Sequence, residues 1–422
     1  MDIRKVGIEV VKQAPYNPQV MKDSQRAKLR QSIEVYSYVD PIVWNSRTGH
    51  AVGGNHRLQV LKDLGYTEIE VVVVDLSLEQ EKALNVALNQ IHGQFDQEKL
   101  GALIDELTRL PNFDVGLTGF EAPELSKILD NYFESKADDF DFDGAVGSMK
   151  EAITKRGDII QLNHHRLLCG DSSNRDDLKR LMDGETASLI HSDPPYAANY
   201  CPDNRPDKNG GHKKVDLSKV IQNDNLPQKE YEKWLKVVLG NVTQFLEGNA
   251  SLYLWNGFRQ FGPMTQMLTD LGFHISNVIT WVKPSICISY SDYNFQSEYC
   301  IYAWRQGQGS HRWYGSTKES NVWQVNRDSI NSLIHQNQKP IELAQRAIKN
   351  SSMRGEIVLD TFLGSGSTLI AAESLSRRCY GVEISPVFCD GIIRRYISYA
   401  GKEKVSKELL DKYYDKEASN GR

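Results

Sequence analysis

Four consecutive residues, Asp193-Pro194-Pro195-Tyr196, follow the apolar run Ala187-Ser188-Leu189-Ile190-His191-Ser192. At a strand's carboxyl end they offer a carboxylate, a prolyl carbonyl and an aromatic face. An exocyclic amino group conjugated to a purine or pyrimidine ring is a poor nucleophile. Two acceptors, the Asp193 carboxylate and the Pro194 carbonyl, suit its two hydrogens and pull the nitrogen lone pair toward an electrophile. Tyr196 suits stacking on the base face. The rest is in-line placement, where geometry supplies much of the acceleration. No covalent intermediate is needed, in keeping with the lack of cysteine in this segment. Asp-Pro-Pro by itself is also ordinary turn chemistry at a strand exit.

A second segment tips the balance. Phe362-Leu363-Gly364-Ser365-Gly366-Ser367-Thr368 follows the strand-like Glu356-Ile357-Val358-Leu359-Asp360. Glycines here let the backbone approach a ligand closely, and a helix start favours a carboxylate. One G-x-G turn is weak evidence. Glu383, which ends the next strand in Tyr380-Gly381-Val382-Glu383, strengthens it. An acid at that place accepts both hydroxyls of a ribose. The pair of segments suggests amino-group chemistry beside a nucleoside-bearing cofactor. Asp360, Phe362, Gly364, Ser365, Gly366, Ser367 and Glu383 are its candidate binding residues.

In this order the two segments resemble the amino-methyltransferases of DNA, which use S-adenosylmethionine and carry a D-P-P-Y tetrapeptide and an F-x-G-x-G loop. The tetrapeptide precedes the loop, as in the permuted group known as the β class. The resemblance covers about 155–400. It implies a contact from Asp171 to the cofactor's adenine. It also implies that Lys339, in His335-Gln336-Asn337-Gln338-Lys339-Pro340, pairs with the cofactor's carboxylate; the family usually has H-P-T-Q-K-P there. The implied reaction is methyl transfer to N6 of adenine in double-stranded DNA, from a base that has left the duplex. Cytosine N4 is the alternative target, since the acceptor pair serves either amine. Rival readings are a DNA-binding adaptor with a spent methyltransferase scaffold, and a methyltransferase of RNA or small molecules.

The elements that must position these residues alternate. Strands are expected over 166–171, 187–192, 251–255, 273–282, 297–304, 357–360 and 379–383, with helices between them. The fold class is therefore α/β, a doubly wound, mostly parallel, Rossmann-like sheet with ligands at the strands' carboxyl ends. Two long segments interrupt it. Residues 197–226 hold Lys213 and Lys214 among other bases, and 285–326 mix aromatics with Arg305 and Arg312. Such interleaving suits phosphate contact plus base stacking, so these four are candidate DNA contacts.

The length of 422 residues calls for two domains. The first, over 1–133, is a smaller α+β unit with helices over 78–90, 97–110 and 121–133 and a hairpin around Arg47-Thr48-Gly49. It resembles the N-terminal domain of ParB partition proteins in Asn17-Pro18, Pro41-Ile42-Val43 and Gly53-Gly54-Asn55-His56-Arg57. The family's G-E-R-R box stands here as Gly54-Asn55-His56-Arg57, so Gly54, His56 and Arg57 form a candidate phosphate site. Acid-rich 134–150 reads as a linker, 151–401 as the methyltransferase domain and 402–422 as a polar tail. The net charge of −5 is no fingerprint of a nucleic-acid binder, although one basic face suffices for phosphates. Six scattered cysteines with no Cys-x-x-Cys pair disfavour a zinc cluster and suit a reducing cytoplasm. No apolar run is long enough for a membrane span. A homodimer is compatible with all of this.

Overall fold

The structure is a computed structural model that describes residues 2–21, 23–90, 94–111, 113–133, 138–197, 223–287, 292–307, 310–325 and 339–414. The chain divides into two compact units, 1–134 and 135–422.

In the first unit the β-branched run Glu68–Val74 forms an inner strand of a five-stranded sheet. It pairs antiparallel with Ile3–Gly7 and parallel with Ile42–Asn45. Ile42–Asn45 and His50–Gly53 make the expected hairpin. Gly49, at its turn, has φ +80°, a conformation that suits glycine. Helices Asp23–Tyr36 and Asn55–Asp63 bury Ile33, Leu58 and Leu61 in the core with Val71. A second apolar cluster joins helices Leu78–Gln90, Gln97–Thr108 and Ala122–Tyr132 through Val86, Ile104, Leu107 and Leu129.

The second unit is built on a nine-stranded mixed sheet. Five parallel strands form its centre, in the order His165–Cys169, Arg378–Glu383, Ile357–Asp360, Ala187–Ser192 and Leu246–Asn256. Alternation sends neighbouring side chains to opposite faces. Leu189 joins one apolar cluster, with Leu343, Ile348, Leu369 and Ile393 from helices Ile341–Ser351, Ser367–Ser374 and Pro386–Ala400. Ile190 joins the other, with Leu178, Leu235, Val238 and Met264 from helices Arg175–Met182, Gln228–Val242 and Phe261–Asp270. Helices on both faces make the sheet doubly wound. Beyond Leu246–Asn256 the direction reverses: Phe295–Arg305 and then Phe273–Cys287 add an antiparallel extension.

Three features depart from the expected pattern. Two edge strands, Ile159–Leu162 and Val322–Gln324, are too short to show a period. Residues 138–150 of the acid-rich stretch read as a linker pack onto the second unit. There Asp141 accepts from the Gly144 N–H at 3.0 Å and caps the short helix Phe142–Gly147. Phe142 is 2% exposed and meets Phe388 edge-on, ring centroids 5.4 Å apart. The apolar Phe142 and Val146 lie over Gly391, where a Cβ would come within 2.7 Å of the Phe142 ring. The tail also folds in part: Lys407–Tyr413 is a helix with Tyr413 buried.

These contacts make Phe142 a core residue of the second unit. In a fragment spanning 135–422, Phe142→Ala should cost about 3 kcal/mol, the usual scale for emptying a buried phenylalanine site. Urea unfolding of the two fragments checks this, and a difference under about 1 kcal/mol would show that the segment is only loosely attached.

Candidate active site

The tetrapeptide leaves the sheet where Ala187–Ser192 runs beside Ile357–Asp360. Hydrogen bonds tie the two exits together. Ser192 Oγ donates to Asp360 Oδ1 at 2.7 Å, and the Thr361 N–H donates to Ser192 Oγ at 3.2 Å. Burial pushes the Asp360 carboxyl up to about 6, against the pull of its hydrogen-bond donors. Below them lies His191, fully enclosed. Trp255 Nε1 can only donate, and it lies 3.1 Å from His191 Nε2. His191 Nε2 is therefore the acceptor, and Nδ1 carries the hydrogen that faces Thr368 Oγ1 at 3.0 Å. Burial, with the Lys339 charge nearby, lowers this imidazole to about 3, so it stays neutral.

Asp193 stands at the centre of the site. Tyr196 Oη donates to its Oδ1 at 2.7 Å, and Lys339 Nζ donates to its Oδ2. Lys339 Nζ also lies 3.0 Å from Tyr196 Oη and 3.1 Å from Glu298 Oε2. Lys283 pairs with the other Glu298 oxygen at 2.5 Å. Burial pushes Glu298 up, but Lys339 and Lys283 overcome it and hold the carboxyl at about 2. Burial works against the Lys339 ammonium, yet Asp193 and Glu298 together raise it. The tetrapeptide's backbone is pinned as well. Tyr231 Oη donates to the Pro195 carbonyl at 2.6 Å, and Gln260 Nε2 to the Tyr196 carbonyl at 3.0 Å. The Tyr196 N–H donates to Asp224 Oδ1 at 2.9 Å. Among the described residues nothing donates to the Pro194 carbonyl, the second acceptor that the sequence suggested.

The glycine turn lies one strand over. Gly364 and Gly366 have φ of +56° and +88°, left-handed conformations that suit glycine. Gly366 precedes helix Ser367–Ser374 and cannot grow: a Cβ there would come within 3.2 Å of Ile392. Glu383 holds the turn in place, accepting from the Gly364 N–H at 2.9 Å and the Ser385 N–H at 2.8 Å. Burial nonetheless pushes its carboxyl up to about 7. Asp171 accepts from the Ser173 N–H and Oγ at 2.9 and 2.8 Å, all on Oδ1. Ser365 Oγ and Ser367 Oγ lie 3.3 Å apart, and the Ser365 carbonyl accepts from Arg395 at 2.8 Å. Phe362 packs against Trp234, centroids 5.6 Å apart.

The structure therefore gathers Asp171, Asp193, Asp360, Gly364 and Glu383 at the carboxyl ends of adjacent strands. Lys339 differs from its expected role, since its ammonium faces Asp193 and Glu298. Only its carbonyl reaches the glycine turn, accepting from Ser367 Oγ at 3.4 Å. Arg305 and Arg312, expected as DNA contacts, have partners within the chain. Arg305 donates to the Thr243 and Leu246 carbonyls, and Arg312 pairs with Glu247 and Glu356, at the amino ends of the parallel strands. Their guanidinium groups close the sheet's far edge and are spent there. Lys213 and Lys214 lie outside the described residues. In the first unit, Gly54 has φ +88° ahead of its helix, but Arg57 pairs with Asp40 at 2.7 Å and burial lowers the His56 imidazole. The Asn55 side chain turns inward, donating to the Ala51 carbonyl at 2.9 Å. No open cationic cradle forms there among the described residues. Sequence reasoning missed Glu298, Lys283, Asp224, Tyr231 and Gln260. Glu298 alone left a trace, as an acid inside an apolar strand.

Comparison with known proteins agrees with this geometry. Residues 187–395 match the DNA methylase family, 98–156 the ParB-methyltransferase HTH domain and 1–91 the ParB N-terminal domain. The chain thus carries a DNA methylase domain in its second unit and a ParB N-terminal domain before it in sequence. The type II methyltransferase M2.MboI of Moraxella bovis is 26% identical over 242 residues, 52% of this chain and 86% of that protein. M2.DpnII of Streptococcus pneumoniae is 26% identical over 220 residues, 48% of this chain and 79% of its own length. A solved structure, the PvuII DNA methyltransferase (cytosine-N4-specific), is 17% identical with a TM-score of 0.44, covering 59% of this chain and 91% of that one.

S-adenosylmethionine, the methyl donor of such enzymes, fits the residues present. Glu383, held by backbone N–H groups of Gly364, Ile384 and Ser385, still has acceptor capacity on its two oxygens for a ribose hydroxyl. Asp171 Oδ2 is without a donor among the described residues, while the N-terminus of helix Ser367–Ser374 suits a carboxylate. Ribose hydroxyls donate to the ionised form of Glu383, whereas the buried acid takes up a proton below about 7. Affinity for the product S-adenosylhomocysteine should therefore rise about tenfold from pH 6 to pH 8, with proton release, and level off above. Calorimetry across that range checks this, with Glu383→Gln expected to bind weakly and flatly. A second test concerns the buried charges. Lys339→Met should destabilise the fold by about 3 kcal/mol, because it strands Glu298 and Asp193. Adding Glu298→Gln should recover part of that loss in a urea double-mutant cycle, and strict additivity would remove the coupling.

Proposed function

We propose that the chain transfers a methyl group from S-adenosylmethionine to the exocyclic N6 of adenine in double-stranded DNA, on a base turned out of the duplex. The observation that carries this reading is the Asp193–Pro194 acceptor pair beside a Tyr196 ring fixed at its amide, carbonyl and hydroxyl. S-adenosylmethionine supplies an electrophilic methyl group on a sulfonium centre. Glu383, Asp171 and the glycine turn hold it. Asp193 has a lone pair left on each oxygen after Tyr196 and Lys339 have donated. One of these and the Pro194 carbonyl take the two amino hydrogens, which turns the nitrogen lone pair out of conjugation. The Asp193 charge also stabilises the positive charge that develops on nitrogen. Tyr196 stacks on the base, and its hydroxyl, tied to Asp193, fixes the angle between ring and acceptor.

Cytosine N4 is the second reading, because nothing in the acceptor pair itself separates the two amines. The D-P-P-Y tetrapeptide, which in the family usually goes with adenine, favours N6. Cys169, Cys300, Cys379 and Cys389 are free and buried, which suits a reducing cytoplasm. All the groups named above come from one chain, so a homodimer is not required for the chemistry.

Asp193→Ala should abolish methyl transfer and leave affinity for S-adenosylhomocysteine within about threefold. A tritiated-donor assay on unmethylated genomic DNA, followed by mass analysis of the nucleosides, reads both points. N6-methyladenine is the expected product. N4-methylcytosine would favour the second reading, and methylation by the Asp193→Ala variant would displace Asp193 from the mechanism.

A further inference from the structure

The large aromatics of the second unit are mostly inside: Trp255, Trp281 and Trp323 are almost fully buried. Two are not. Phe258 is 56% exposed and Phe295 is 44% exposed. They come from different parts of the chain and still stack on each other, centroids 5.6 Å apart and planes 27° apart. Phe258 stands just past the end of strand Leu246–Asn256, and Phe295 opens the antiparallel strand Phe295–Arg305. Exposed apolar surface beside a site, built from two converging segments, calls for an occupant.

Its place points to one. Gly257, between Asn256 and Phe258, lies flat against the catalytic tyrosine, and a Cβ there would be 3.4 Å from the Tyr196 ring. Phe258, the first of the pair, thus directly follows the residue that covers the Tyr196 ring. Arg259 follows immediately, its guanidinium carbon 5.6 Å from the Phe258 ring centroid. No carboxylate among the described residues pairs with Arg259. Flat apolar faces with an uncompensated cation beside them match stacked bases next to a phosphate. A protein partner would call for a broader apolar patch.

We propose that Phe258 and Phe295 form a stacking step at the mouth of the site. The step takes the duplex bases left exposed when the target is extruded, and Arg259 meets the adjoining phosphate. This rests on the reading of the chain as acting on a base drawn out of duplex DNA. Unstacking is the main cost of extrusion, and an aromatic face that replaces the lost stacking lowers it. The pair therefore acts on base extrusion and not on the methyl transfer itself, so these are positioning residues.

The test uses the full chain and the DNA site that it methylates, located by methylation-sensitive sequencing. The Phe258→Leu/Phe295→Leu double variant keeps apolar bulk but removes the flat faces; Phe258→Ala/Phe295→Ala is its more severe companion. Methyl transfer is measured as kcat/KM on two duplexes, one with the target base normally paired and one with an abasic site opposite it. The expected result is a loss of about tenfold or more on the paired duplex. On the second duplex, where extrusion is already easy, the loss should be about twofold or less. Affinity for S-adenosylhomocysteine and the unfolding midpoint should not move. Equal loss on both duplexes, or none on either, would overturn the proposal while leaving the methylation reading standing. If the wild-type chain methylates no duplex at all, that reading falls and the proposal with it.

Discussion

A single buried ammonium organises the site. Lys339 is drawn out of water between Asp193 and Glu298, and an isolated charge in that position would be expensive. Each of its partners arrives from a different part of the fold. Asp193 comes from the parallel centre, Glu298 from the antiparallel extension, and Lys339 from the entry to helix Ile341–Ser351. Lys283, from the neighbouring extension strand, completes two acids and two bases. The arrangement is stable only when all of them are in place, because removing one leaves its partners uncompensated. The Asp193 carboxylate is therefore aimed by the meeting of three parts of the fold, not by its own turn. The Trp255 ring, 5.2 Å below Lys339, floors the cluster and links it to His191.

Much of this was legible from residue types. The parallel strands are short and centred on apolar residues, so Ala187–Ser192 and Ile357–Asp360 announce themselves along with the turns that follow. A motif at a strand exit is local, and sequence order alone places Asp193, Gly364 and Glu383 at one end of one sheet. What was not legible depends on distant pairing. Glu298 and Lys283 acquire meaning only when two antiparallel strands bring them onto Lys339. Arg305 and Arg312 have the composition of nucleic-acid contacts, but the strand direction that carries them to the far edge is a tertiary fact. The Phe142 helix was hidden by its acidic neighbours, because a stretch of only six residues with two apolar side chains has no readable period.

The first unit shows the same rule in a quieter form. Glu81 is fully buried in helix Leu78–Gln90, and Tyr16, Asn45, Thr48 and His50 all turn toward it, His50 at 2.8 Å. Burial pushes this carboxyl up, but those donors win and hold it low. The hairpin, the helix and the chain's early segment are fastened to one acid. Nothing in the spacing of those five residues foretells their convergence.

The glycine turn is fastened in another way, and it sets the timing of the molecule's assembly. Arg395, buried in helix Pro386–Ala400, donates to the Ser365 carbonyl at 2.8 Å and to Asp138 Oδ2 at 2.7 Å, across 257 positions of sequence. Asp390, in the same helix, accepts from the Ile153 and Thr154 N–H groups. The start of the unit and its cofactor loop are both clasped by nearly its last helix. A chain emerging from the ribosome amino-end first cannot close that clasp until about residue 400 is free. Asp193 to Tyr196, made some two hundred residues earlier, must wait for the glycine turn beside them to be fastened. Nascent chains of this protein thus cannot fasten the glycine turn until helix Pro386–Ala400 has left the ribosome.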